Sequence, residues 1–145
     1  MMKEVSLKEE KIILTDCDGV LLAWEGAFHD WMIGKGFTKK AEATYDISTT
    51  FGIPKTLGKK LVKEFNESAW MGFLPAYKDA RSGVAKLVEH GWKFICITSL
   101  SLDQKAQMLR ISNLKNIFGK NVFIDVVCLD TGADKDEELV KFKDS

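Results

Sequence analysis

Two short apolar runs punctuate the chain, and each opens directly onto polar residues. Lys11-Ile12-Ile13-Leu14-Thr15 leads into Asp16-Cys17-Asp18-Gly19, and Lys93-Phe94-Ile95-Cys96-Ile97 leads into Thr98-Ser99. Neither run alternates apolar with polar positions. Near-continuous apolarity predicts central strands of a sheet covered on both faces, since successive side chains then enter packed layers on either side. A third run, Val122 to Leu129, ends in Asp130-Thr131-Gly132.

Between these runs the period changes. In Asp79–His90 the apolar positions Ala80, Val84, Leu87 and Val88 recur at i, i+4, i+7 and i+8, with Gly91 as a natural stop. Ser101 reads as an N-cap with Gln104 at the capping-box position, opening a helix that carries Met108, Leu109 and Ile111. Asp134–Phe142 reads as a last helix, with Leu139, Val140 and Phe142 apolar. Strands alternating with helices predict an α/β fold, a three-layer Rossmann-like parallel sheet with right-handed crossovers.

The stretch from Ala23 to Trp70 interrupts the alternation and is too long for a plain loop. Trp24, Phe28, Trp31 and Met32 share one helical face, and Leu57, Leu61, Val62 and Phe65 share another, punctuated by Gly34, Gly36, Gly52 and Pro54. The expectation is a small helical cap over residues 23–70, inserted after the first strand, with residues 1–22 and 71–145 forming the core.

Composition narrows the function classes. At 145 residues the chain is the size of one domain, and its 21 basic residues balance its 21 acidic ones. No global field favours a nucleic-acid polymer or an anionic membrane as partner. The three cysteines lie far apart, without zinc spacing, as expected in a reducing compartment. The N-terminal residues form no apolar signal core of roughly 7–15 residues. No run approaches the roughly 20 apolar residues of a membrane span. A cytoplasmic location is expected.

The chemistry sits at the strand ends, where open α/β sheets bind ligands. Asp16-Cys17-Asp18-Gly19-Val20 places two carboxyl groups around one point, with a glycine that lets the backbone turn. A carboxylate can attack phosphorus to form an aspartyl-phosphate, and a second can shuttle the proton of the leaving group and of water. Magnesium would offset the charge repulsion, and its preference for oxygen ligands fits aspartates. Thr98 and Ser99 offer hydroxyl and backbone N–H donors to phosphate, and Lys135 offers a cation after the third strand. His29 and His90 have no partner pattern for nucleophilic catalysis and are expected to be structural. Cys17, between two aspartates, is a poor thiolate.

With these residues in place, the chain resembles the haloacid dehalogenase-like phosphatase superfamily from Lys11 to about Phe142. The resemblance implies that Asp16 is the nucleophile, Asp18 the general acid/base, Thr98 the phosphate-binding hydroxyl and Lys135 the family's lysine. It also implies magnesium held by the Asp16 carboxylate, the backbone carbonyl of Asp18 and an acid from a fourth motif. Within the superfamily the chain is most similar to 5'-nucleotidases acting on pyrimidine deoxyribonucleotides, through Asp16 to Leu21, Phe73-Leu74-Pro75-Ala76 and Phe94 to Ser99. That group stacks the base on cap aromatics, for which Trp24, Phe28, Trp31, Trp70 and Phe73 are the candidates. The implied substrate is a small phosphorylated molecule, with a nucleotide 5'-phosphate among the possibilities.

One departure stands out. The family's fourth motif follows a further strand beyond the lysine helix, and the sequence stops at Ser145. Truncation is the favoured explanation, and the absent strand would leave the first strand without a neighbour on one edge. Three alternatives to a phosphomonoesterase follow: a degenerate binding module, a fragment inactive by itself, and the same fold running another reaction, phosphotransfer rather than dehalogenation, which does not use the second aspartate.

Overall fold

The computed structural model describes residues 2–7, 10–42 and 46–130. Lys135, the helix expected over 134–142 and the residues Thr131 and Gly132 lie outside the described residues. Four strands form one sheet in the order β1 (Met2–Leu7), β2 (Glu10–Thr15), β3 (Lys93–Ser99), β4 (Phe123–Leu129). β2, β3 and β4 run parallel, as the apolar runs predict, so the fold is α/β with a three-stranded parallel core.

β1 was not foreseen. It pairs antiparallel with β2, Met2 opposite Thr15 and Leu7 opposite Glu10. The edge of β2 expected to stand open is therefore paired. The sequence of β1 carries Lys3 and Glu4 and lacks a continuous apolar run, as an edge strand can.

Between β2 and β3 the chain forms α1 (Trp24–Gly34), α2 (Ile47–Phe51), α3 (Lys55–Asn66), a 3₁₀ turn (Ala69–Gly72) and α4 (Lys78–Glu89). The Asp46 carboxylate caps α2. Hydrogen bonds from the Ser48 hydroxyl and the Thr49 amide pull its pKa down to about 2. α1 and α3 pack through Phe28, Met32, Leu61 and Phe65. The Trp24 ring stacks on Phe28 at 4.9 Å, and Phe65 meets Phe28 edge-on at 5.4 Å. Burial of each such ring contributes about 1.5–3 kcal/mol, which is what holds these short helices together.

α5 (Gln104–Phe118) links β3 to β4. Its cap differs from expectation: Asp103, not Ser101, accepts the first-turn amide, from Ala106 at 2.9 Å. Ser101 instead accepts from the Asp103 amide at 3.0 Å. The helix also faces another way than its apolar residues suggest. Met108 is 70% exposed, whereas Ala106, Arg110, Asn113 and Leu114 are buried.

The period-2 alternation of strand side chains splits the sheet into two faces. Ile13, Phe94, Cys96 and Phe123 pack with Val84 of α4 and Ala106 and Leu114 of α5 in one core, continuous with the cap aromatics. Ile12, Leu14, Ile95 and Ile97 form a separate buried cluster on the other face. Among the described residues no helix is long and apolar enough to cross a membrane.

Candidate functional site

The chain leaves β2 through a tight loop. The Cys17 carbonyl accepts the amides of Val20, Leu21 and Leu22, and the Gly19 amide donates back to the Leu22 carbonyl at 3.0 Å. Gly19 sits at φ +81°, a left-handed conformation that costs an L residue about 1–2 kcal/mol. The loop is anchored to the approach to α4, with the Ala23 amide on the Pro75 carbonyl at 2.8 Å and the Tyr77 amide on the Leu21 carbonyl at 3.1 Å. Asp16 and Asp18, alternate residues of this loop, are half-buried.

β3 ends beside it. Thr15 is opposite Cys96 in the parallel register, so Thr98 and Ser99 emerge at the same edge of the sheet as the aspartates. Thr98 is 1% exposed and Ser99 half-buried.

What joins the two strand ends is a residue the sequence did not flag. Arg110 of α5 donates from Nη1 to Thr98 Oγ1 at 2.7 Å. Its Nη2 lies 3.1 Å from Asp18 Oδ1 and 3.3 Å from Oδ2, with Met71 Sδ beneath at 3.6 Å. The side chain is completely buried. Burial alone would lower its pKa, but the acidic groups around it, Cys17, Asp18 and Cys96, outweigh that and raise it above its usual value. Desolvating a cation costs several kcal/mol, about as much as a good partner set returns. Arg110 tolerates burial because of its partners. α5 is held in register by Asn113, whose Nδ2 donates to the Leu74 carbonyl at 3.0 Å.

Two of the cysteines, Cys96 and Cys128, are held as thiols. A hydrogen bond with Cys17, together with burial, raises the Cys96 pKa well above the usual thiol value. Burial raises Cys128 to about 11. His29 is buried in the cap against Phe51, and His90 Nδ1 lies 2.7 Å from the Lys86 carbonyl at the end of α4.

The five cap aromatics separate into two groups. Phe28 is fully buried in the helix–helix core, a correction to its reading as a substrate contact. Trp24 stacks on Phe28 and spends its indole N–H on Asn66 Oδ1 at 2.7 Å. Trp31, Trp70 and Phe73 instead line a cavity of about 660 Å³ with Asp30 and Lys35. Its lining includes Ala23, Leu74 and Pro75, the segments bonded to the aspartate loop, but none of Asp16, Asp18 or Thr98.

For a metal, the described residues hold no cluster of three or more His, Cys, Asp or Glu side chains. Magnesium is commonly held by one or two carboxylates plus substrate phosphate oxygens, and that smaller requirement fits the oxygen donors of the loop. The Asp16 carboxylate and the Asp18 backbone carbonyl are the donors that the resemblance would assign to the ion.

The chain is 30% identical over 139 residues, 91% of its length, to the uncharacterized 32.4 kDa protein in the Gp30-rIII intergenic region of Enterobacteria phage T4. It spans about half of that protein, 49% of its length. No family model matches the chain.

Proposed function

We propose that the chain is a magnesium-dependent phosphomonoesterase domain of the haloacid dehalogenase-like type. The observation that supports this best is the shared guanidinium of Arg110, which draws Asp18 and Thr98 together at the strand ends where Asp16 begins its loop. An acidic turn with a merely structural glycine gives no reason for a buried hydroxyl from the neighbouring strand to share its cation.

The chemistry runs in two displacements. Asp16 attacks phosphorus while the leaving oxygen takes a proton from Asp18, giving an aspartyl-phosphate and an alcohol. Asp18 must enter this step protonated, although its pairing with Arg110 favours the carboxylate. Asp18 then takes a proton from water, which attacks the phosphoenzyme to release orthophosphate and restore the Asp16 carboxylate. Thr98 donates to a phosphoryl oxygen. Lys135 is assigned to charge neutralisation by resemblance alone. Magnesium, when bound, supplies positive charge between carboxylate and phosphate.

The substrate class is a small phosphate monoester, and a nucleotide 5'-phosphate would suit the cleft of Trp31, Trp70 and Phe73. Replacing Asp16→Asn tests the assignment. Phosphate release from p-nitrophenyl phosphate should vanish while the circular dichroism spectrum stays unchanged. Surviving turnover rules out Asp16 as nucleophile.

A second reading, a degenerate module that binds without turnover, is favoured by the ion pair that engages the Asp18 carboxyl group. A panel of phosphate esters with and without magnesium separates the two readings. Magnesium-dependent release from any ester excludes the binding-only module.

A further inference from the structure

The guanidinium of Arg110 is buried and both of its outer nitrogens are engaged, by Thr98, Asp18 and Met71, so any role it has is exerted through the atoms it holds. Those atoms come from two strand ends: Thr98 Oγ1 at 2.7 Å, and the Asp18 carboxyl oxygens at 3.1 and 3.3 Å. A guanidinium has only donors. Thr98 Oγ1 must therefore accept from it, and the single hydrogen of that hydroxyl is left to donate elsewhere. The carboxyl group of Asp18 is met by a single nitrogen, Nη2, which donates to Oδ2 and lies within ion-pair distance of Oδ1.

Packing alone does not require this residue. Ala106 and Leu114 share its helix face, and an apolar side chain of similar length would fill the space without desolvating a charge. Such a side chain would leave the Thr98 hydroxyl free to point its hydrogen at any acceptor. It would also remove the contact between Nη2 and the Asp18 carboxyl group.

We infer that Arg110 is a positioning residue: buried beneath the strand ends, its guanidinium fixes the Thr98 hydroxyl as a donor toward a phosphoryl oxygen and holds the Asp18 carboxyl group beside it. The inference rests on the phosphoryl-transfer reading above. Its consequence is that Thr98 and Arg110 act as one unit. Removing either should disable the same donor, so their effects should not multiply.

The test uses the chain itself with five proteins: wild type, Arg110→Lys, Arg110→Met, Thr98→Val and the Arg110→Met/Thr98→Val double variant. The probe is p-nitrophenyl phosphate with magnesium, with inorganic phosphate as competing ligand. Arg110→Met should lose on the order of a hundredfold in kcat/KM, the scale of a small misplacement of reacting groups, and should bind inorganic phosphate more weakly. The double variant should be no worse than the poorer single variant. Arg110→Lys, which keeps the donors and the charge, should recover part of both losses.

Losses that multiply in the double variant overturn the inference, as does an Arg110→Met protein indistinguishable from wild type. If Arg110→Met does not fold, the cycle is closed with Arg110→Lys and Thr98→Val under the same criterion. A wild type that turns over no phosphate ester removes the phosphatase reading and this inference together. A wild type that is active, and inactivated by Asp16→Asn, keeps the reading and lets the Arg110 variants alone decide.

Discussion

The indole Nε1 of Trp24 donates to Asn66 Oδ1 at 2.7 Å, and Asn66 Nδ2 passes the connection on to the Leu100 carbonyl at 3.3 Å. One buried amide thus links the start of α1, the end of α3 and the residue that follows β3. The cap is tied to the strand end that bears Thr98 and Ser99 through this side chain.

Asn66→Leu should therefore destabilise the fold by about 1–3 kcal/mol, because it removes the acceptor of the Trp24 indole N–H and the amide donor to the Leu100 carbonyl with little change in volume. Urea denaturation of the two proteins measures the difference. A change within error would mean that water replaces the amide at no cost.

Gly19→Ala isolates backbone strain, since a Cβ built at Gly19 meets no atom within 4 Å. The expected cost is about 1–2 kcal/mol, set by the left-handed φ alone. Gly19→Asn should cost less, because Asn tolerates that region better. Thermal midpoints of the three proteins give the ordering, and equal midpoints would contradict the turn geometry.

His29 should make the protein acid-sensitive. Burial lowers its pKa below the ordinary 6.5, helped by Lys39 and opposed by Glu25 and Asp30. Above 6.5 both folded and unfolded chains carry a neutral ring, and no difference arises. As pH falls below 6.5 the unfolded chain takes up a proton that the folded one resists, so stability declines until the folded pKa is passed. Stability measured from pH 7.5 to 5 should fall for wild type and fall less for His29→Gln. Parallel curves would remove His29 as the source.

The two groups of cap aromatics should respond differently to truncation. Phe28→Ala empties a fully buried site and should cost about 3–5 kcal/mol. Phe73, 73% exposed, should tolerate Phe73→Ser within about 0.5 kcal/mol. Equal losses in the two variants would contradict the packing described above.

If the cleft takes a nucleobase, Trp70→Ala should raise KM for nucleoside monophosphates and leave KM for glycerol phosphate unchanged. Base stacking on an aromatic ring is worth about 1–3 kcal/mol, well within reach of initial-rate kinetics. Equal effects on both substrates would assign the cleft to something other than a base.

Local pattern determined much of this protein. Continuous apolar runs mark β2 and β3, whose side chains are buried on both faces, while the run of β4 is interrupted by Asp125 and only Phe123 in it is buried. Amphipathic spacing located α3 and α4, and the loop beginning at Asp16 follows from a glycine directly after alternate aspartates. The sequence also placed Thr98 at a strand end beside that loop. The expectations for Lys135 and a final helix lie outside the described residues.

Tertiary structure decided the remainder. β1 has no apolar run of its own, so only its pairing with β2 defines it. The apolar residues of α5 point its periodicity toward Met108, yet the buried face runs through Arg110 and Asn113. Hydrophobicity cannot reveal a buried cation, because what makes its burial tolerable is a set of partners 12 and 92 residues away in sequence. Pattern reports what each segment prefers alone, while a site built from two strand ends and a helix exists only once the chain has brought them together.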